Sequence, residues 1–255
     1  MINKLIEVLN THETMIFDEL DATIEMLTGS IFIAVIAGFF IGMTLNNLVK
    51  VNAVMRLIIL PLRIVMFVLG GYPVIVVAIL MTPFIRREVG TIIGIEAAQP
   101  ILMVWGAFYF ATHLYRAFNN TADGENAAIK VVKSLRILVI GMISASAVLG
   151  MIGMGGLGGV LLNYGFFRDD YNFALLIAVI YAVMILVVEF ATVILLTIFR
   201  PVRTAKVVEQ QAETIRRTEK TEKERQQKVQ KITPEPQPQS PVQKTMDFDS
   251  LIRRG

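Results

Sequence analysis

Long apolar runs fill the chain from Thr28 to Phe199 and stop at Arg200. A helix needs roughly 20 apolar residues to cross a bilayer core, so the pattern predicts about five transmembrane helices. The segment 57–69 contains Arg63 and belongs to a long apolar stretch, 54–85, that a Gly-Gly-Tyr-Pro sequence interrupts in the middle, so we interpret it as a tilted or interfacial entry helix. The predicted spans are 28–45, 68–85, 91–114, 137–157 and 173–199. The pattern indicates an all-α, polytopic membrane protein.

The segment before the first span, residues 1–27, is acidic and amphipathic. Its apolar residues Ile2, Leu5, Ile6 and Leu9 share one helical face. The segment lacks the basic start and apolar run of a signal peptide, so we expect none. It is predicted to form either one or two short helices on the membrane surface or the polar start of the first span.

Lysine and arginine in the short loops predict the orientation of the spans. Five spans place the termini on opposite sides of the membrane. With the N-terminus outside, six basic residues lie in inner loops and three in outer loops. Inner loops carry the excess of positive charge in most membrane proteins. The predicted topology is therefore N-out and C-in, with residues 28–200 as the membrane domain and residues 201–255 as a cytoplasmic tail.

Composition narrows the chemistry further. The chain has no cysteine and two histidines, His12 and His113, so disulfides and thiolate metal sites are excluded and a histidine metal site is not expected. The basic excess of the tail is read as a topology signal rather than as a sign of nucleic-acid binding. There is no P-loop or nucleophile elbow, so we expect no enzymatic activity and no cofactor. Any use of ATP would need a separate chain.

The tail combines a charged stretch, a proline-rich stretch at 233–241 and a more apolar end. Proline prevents a helix from continuing through the middle stretch. At the end, Phe248, Leu251 and Ile252 have a spacing that suits a short helix docking on a partner. A disordered terminus explains the same residues.

Glu189 is the strongest polar candidate within the spans. It precedes Arg200 by eleven residues, about 16 Å along a helix at about 1.5 Å per residue. An ionised carboxylate at that depth needs a partner or water, so we expect Glu189 to face the protein interior. A functional role and a structural one that ties helices together are both open. Glu96, near the start of the third span, could reach the outer interface.

The segment Gly150–Gly159 is dense in glycine. Glycines allow membrane helices to approach closely and allow non-helical backbone beside protein or water. We predict Gly153, Gly155, Gly156 and Gly158 as helix-packing glycines. Met151 and Met154 could line an adaptable path or fill the core.

Three stretches resemble the permease subunits of methionine-type ABC importers. The run GMGGLGGVLLNYGFFRDDYNFALLIAVIYAVMILVVEF (153–190) is similar to the end of such subunits, with Tyr164-Gly165 as the family's Tyr-Gly pair. Tyr72-Pro73 resembles the family's Ile-Pro at the second span. The run MTPFIRREVGTIIGIEAAQPILMVWGAFYF (81–110) resembles its central motif. The resemblance covers residues 20–200.

The resemblance implies a type I ABC importer permease in the bacterial inner membrane. It implies three protein partners: a second permease copy, a cytoplasmic ATPase and a lipid-anchored binding protein that delivers methionine or a related amino acid. Residues expected along the translocation path are Tyr72, Pro73, Met151, Met154 and Glu189. The family's coupling loop corresponds to 115–136, where we expect ATPase contacts from Glu125, Ala127, Ala128, Lys130 and Lys133. This loop is several helical turns shorter than in the family, and the tail is an addition.

Three functional hypotheses follow. The first is an ABC importer permease for methionine or a similar small amino acid. The second is a permease-derived scaffold or regulator that no longer couples to ATP hydrolysis, which the short loop and the tail favour. The third is an ion-coupled secondary transporter that uses Glu189, although no inverted repeat is visible.

Overall fold

The computed structural model describes residues 2–49, 53–119 and 126–199. These residues form helices joined by short connections, and no strand occurs among them. The chain divides after Arg200. The predicted tail, including its end at Phe248, Leu251 and Ile252, lies outside the described residues.

Eight α-helices and two π-helical segments follow one another along the described residues. The segments Gly150–Met154 and Leu161–Phe166 are π-helical and flank the shortest α-helix. The α-helices are α1 Ile2–Thr11, α2 Glu13–Val49, α3 Ala53–Gly71, α4 Val74–Glu88, α5 Ile95–Asn119, α6 Ala127–Leu149, α7 Leu157–Val160 and α8 Tyr171–Phe199.

Among the described residues, three stretches of helix are long and apolar enough to cross a membrane: Glu13–Leu48, Ala127–Met154 and Tyr171–Phe199. A fourth candidate is the pair α3 and α4, which is bent by 104° at its break. The chain is therefore a multi-pass membrane protein with three or four candidate spans, fewer than the five expected. The predicted third span, α5, is 25 residues long but is not among them.

Helix α5 is central to the fold. It contains Glu96, Gln99, His113 and Arg116, which make it more polar than the other long helices. Its middle is surrounded by protein, and Ile101, Leu102, Phe110 and Leu114 have no exposed surface. A helix shielded by its neighbours needs no continuous lipid-facing surface. This burial explains why a count based on hydropathy does not include it.

The parallel helices α2 and α5 meet along a ridge of small residues, which we call the α2–α5 seam. Its α2 side is Ser30, Ala34, Gly38 and Gly42, one residue every four positions. A Cβ on Gly38 would lie 2.6 Å from the carbonyl oxygen of Ala107. Small residues at this spacing let membrane helices approach until their backbones touch. The seam is therefore a tightly packed part of the described core.

A second group of apolar residues joins α1 to the start of α8. Leu5, Val8 and Leu9 of α1 pack with Phe173 and Ile177 of α8. Leu5 and Leu9 of the predicted amphipathic face thus pack against protein, whereas Ile6 is half exposed. Residues 13–27 belong to α2 and continue directly into the first span, as the second predicted alternative has it.

Candidate functional site

A cavity of about 680 Å³, here called the Arg136 cavity, lies between the start of α4, the middle of α5 and most of α6. Its lining is mainly apolar and aromatic, and Arg136 is the one charged residue among the described residues that line it. The residues that line it are Pro73, Val74, Ile75, Trp105, Tyr109, Arg136, Ile137, Ile140, Gly141, Ser144, Ala145 and Val148.

The break between α3 and α4 forms one wall. Pro73 has no backbone N–H to donate. At the same break the indole Nε1–H of Trp105 donates to the carbonyl oxygen of Tyr72 at 2.8 Å. This bond satisfies a carbonyl that the bend removes from regular helix bonding. Of the two residues predicted here, Pro73 lines the cavity, and Tyr72 meets its wall through the backbone.

An aromatic row on α5 forms the second wall. Trp105 and Tyr109 stack with ring centroids 4.7 Å apart, and the Tyr109 and His113 rings are 4.6 Å apart. Residues four apart share a helix face, which is why these three side chains align. Gly141 of α6 makes room for the row, because a Cβ there would lie 2.9 Å from the Tyr109 ring. The spacing W-x3-Y-x3-H in the sequence would have indicated this shared face, but these residues were not predicted as part of a site.

Glu189 has a partner, as its depth requires, and the partner is Arg136. The guanidinium Nε donates to Glu189 Oε1 at 2.9 Å, and Nη2 donates to the same oxygen. From the start of the apolar run at Ile137, Arg136 was expected in an inner loop before the fourth span. The structure instead starts α6 at Ala127, nine residues earlier, so Arg136 belongs to the helix. The carboxylate of α8 and the guanidinium of α6 are thereby joined beside the cavity.

The glycine-rich segment serves two purposes. Gly153, Gly155 and Gly156 have φ of 98°, 80° and 75°, a conformation that suits glycine. Gly153 accepts a hydrogen bond from Gly94 N at 3.1 Å, which ties this turn to the start of α5. Gly158 approaches the backbone of Ala147 too closely for any side chain. Of the four predicted packing glycines, Gly156 and Gly158 make close contacts, while Gly153 and Gly155 mainly provide the turn.

The predicted path residues do not form one group. Met154 is buried in the main core. Met151 is partly exposed and lines a smaller cavity with Leu161 and Ala174. Neither methionine lines the Arg136 cavity. Of the predicted path residues, Pro73 and the backbone of Tyr72 meet at this cavity, and Glu189 is joined to it by its bond to Arg136.

The predicted coupling residues lie at the start of α6, before Arg136. Glu125 lies outside the described residues. Ala127 and Ala128 are exposed in the first turn of α6, and Lys133 is exposed one turn beyond Lys130. The ammonium group of Lys130 lies 6.0 Å from the ring centroid of Phe118. The described helices leave only residues 120–126 between α5 and α6, so the connection is much shorter than the loop expected at 115–136.

No protein-family model and no curated protein matches the sequence. Two crystal forms of the MetNI methionine ABC transporter in inward-facing conformations contain a chain of similar fold. One matches with a TM-score of 0.63 and 23% identity, over 71% of this chain and 94% of that chain. The other matches with a TM-score of 0.65 and 22% identity, over 72% and 96%. At this identity the likeness shows the fold alone, which this chain shares with a chain of that ABC transporter.

Proposed function

We propose that this chain is the membrane-spanning permease subunit of an ABC importer for methionine or a similar small amino acid. The observation that carries the proposal is the fold likeness, which extends over almost the whole length of the chains of the methionine transporter. The Arg136 cavity supports it, because a largely apolar cavity with few polar groups is typical of a small-molecule site. It lies against a broken helix pair, where irregular backbone at membrane depth is tolerated beside a cavity.

The proposal includes the assembly that such a subunit needs. A second copy of the chain would complete the path, and a separate ATPase would power it. A lipid-anchored binding protein would deliver the substrate. The expected location is the bacterial inner membrane, with the tail from residue 201 in the cytoplasm. Ala127, Ala128, Lys130 and Lys133 are the described residues proposed to face the ATPase.

A second candidate is a permease-derived scaffold or regulator that does not couple to ATP hydrolysis. The short connection between α5 and α6 favours it, because seven residues leave little room for separate docking helices. The ends of α5 and α6 themselves would then be the remaining surface for an ATPase.

A pull-down distinguishes the two candidates. The tagged full chain and a variant truncated after Arg203 are purified in mild detergent, and co-purifying proteins are identified by mass spectrometry. We expect a stoichiometric ATPase with both. An ATPase that is lost on truncation would mean that the tail provides docking. Absence of an ATPase from both preparations would reject the importer and leave the scaffold.

A further inference from the structure

We propose that Arg136 and Glu189 form a recognition site for the charged ends of a free zwitterionic amino acid whose side chain lies in the Arg136 cavity. This inference rests on the proposed function, since it names the part of the path that reads the substrate. It concerns the chain itself and not a binding protein that would deliver the substrate.

The position of the pair is the first argument. Arg136 lies nine residues after the start of α6, and Glu189 lies ten residues before the end of α8. At about 1.5 Å per residue, these separations are about 14 and 15 Å along the helices. Glu189 lies within the apolar run of α8, where a charged side chain faces the bundle interior or a water-filled path and avoids lipid, and Arg136 stands directly before the apolar run of α6.

The accessibility of the pair is the second argument. The side chains of Arg136 and Glu189 are 45% and 33% exposed within the chain. Partial exposure beside the cavity leaves the pair within reach of a ligand in the proposed path.

The unused hydrogen-bonding capacity is the third argument. Nε and Nη2 of Arg136 both donate to Oε1 of Glu189. Within the described part of the chain, Nη1 of Arg136 and Oε2 of Glu189 have no hydrogen-bond partner. A cationic donor thus remains available on Arg136, which lines the cavity, and an anionic acceptor remains on Glu189, which is bonded to Arg136 from outside the lining. Arginine pairs well with carboxylates through two parallel hydrogen bonds, which an incoming carboxylate could complete.

The charge of the pair selects the ligand class. A simple anion would be attracted by Arg136 and repelled by Glu189. A simple cation would be attracted by Glu189 and repelled by Arg136. A zwitterion can place its carboxylate on the guanidinium and its ammonium on the free carboxylate oxygen. Its side chain would then extend along the wall of Trp105, Tyr109 and Ile140. A cavity of about 680 Å³ is large enough for a small amino acid.

The chain contains its own reporter for this proposal. It has a single tryptophan, Trp105, and this residue lies in the cavity wall. The full chain, purified in detergent free of other proteins, is titrated with L-methionine while tryptophan fluorescence is recorded. Equilibrium dialysis with radiolabelled L-methionine repeats the measurement without relying on fluorescence. The methyl ester removes the carboxylate charge, and N-acetyl-L-methionine removes the ammonium charge, without any change in the protein.

We expect saturable binding of L-methionine and about tenfold or greater loss of affinity for each analogue. This is the loss expected for one charge-assisted hydrogen bond. Arg136→Gln should lower the affinity for L-methionine to a similar extent, and Arg136→Lys should recover part of that affinity. Arg86→Gln is the matched control, because Arg86 is exposed at the end of α4 and outside the cavity. It should bind L-methionine as the unmodified chain does.

Two results would overturn the proposal. One is the absence of L-methionine binding by both methods. The other is equal binding of L-methionine and its two analogues. In the second case, we would also test whether Arg136→Gln disrupts the association of two copies of the chain. If it does, the Arg136–Glu189 ion pair belongs to an interface between copies and not to a substrate site. Each of these results is independent of the ATPase pull-down, so failure of this inference and failure of the proposed function can be told apart.

Discussion

Helix α5 has two faces that are built in opposite ways. On the α2–α5 seam, small side chains such as Gly38 and Ala107 bring two backbones together. On the Arg136 cavity, large rings such as Trp105 and Tyr109 hold α5 away from the break between α3 and α4. A closely packed seam resists any change of volume, whereas a cavity can change its volume when a ligand binds. One side of α5 is therefore suited to fixing the fold and the other to binding and movement.

The largest effect should come from the seam. Gly38→Ala should destabilise the chain by about 1–3 kcal/mol, because the added methyl group meets the carbonyl oxygen of Ala107 and the backbones must separate. Gly29→Ala, in the same helix, is the control, since a Cβ there would lie 3.9 Å from Nε2 of Gln99, its nearest neighbour outside the helix. It should leave stability unchanged or raise it by up to about 1 kcal/mol, because alanine favours the helix more than glycine does. Unfolding in detergent, followed by tryptophan fluorescence, measures both.

Equal stability of these two alanine variants would show that the seam is not tightly packed. The contrast between the two faces of α5 would then be wrong.

An intermediate effect should come from the ion pair. Arg136→Gln and Glu189→Gln should each cost about 1 kcal/mol, because each leaves the other charge at membrane depth without its partner. The value is below that of an enclosed pair, since both side chains are partly exposed. The double variant should lose less than the sum of the single variants, as expected for residues in contact.

The same unfolding measurement tests this double-mutant cycle. Strictly additive losses would mean that the contact between Arg136 and Glu189 contributes nothing to stability.

The smallest predicted effect is the difference in stability between the alanine variants of two serines that make the same local hydrogen bond. Ser30 on the seam and Ser144 in the cavity each donate to the carbonyl oxygen four residues earlier, at 2.7 and 3.2 Å. Ser30 is buried and also contacts the Gln99 carbonyl oxygen at 3.3 Å, whereas Ser144 is exposed. Ser30→Ala should cost about 0.5–1 kcal/mol, and Ser144→Ala close to nothing. Thermal unfolding of the two variants side by side checks the difference, and a larger loss for Ser144→Ala would reverse it.

The cost of burying charge made part of the site predictable. A carboxylate eleven residues inside an apolar run requires a partner, and Glu189 has one. The identity of the partner was not predictable from hydropathy alone. Arg136 stands directly before an apolar run, so the pattern placed it in a loop, whereas α6 begins at Ala127. Charged side chains near span ends blur the boundary that hydropathy reports.

Other features were visible in the sequence but gave no decisive signal. Gly38 and Gly42 form a small-xxx-small pair within the first span, yet such pairs are common in apolar helices and do not name their partner. The row of Trp105, Tyr109 and His113 needs Gly141 opposite it, and that contact joins two different helices. Pairings between distant segments depend on the tertiary fold, which local patterns do not specify.

The α2–α5 seam also sets an order of events during synthesis. Ser30 and Gln99, which meet on it, are separated by 69 residues. At about 5–20 residues per second, roughly 3 to 14 s pass between the emergence of these two residues from the ribosome. During that interval the glycine ridge of α2 has already been made and its permanent neighbour has not. The nascent protein therefore depends on the insertion machinery, or on lipid, to keep that ridge from pairing with the wrong helix.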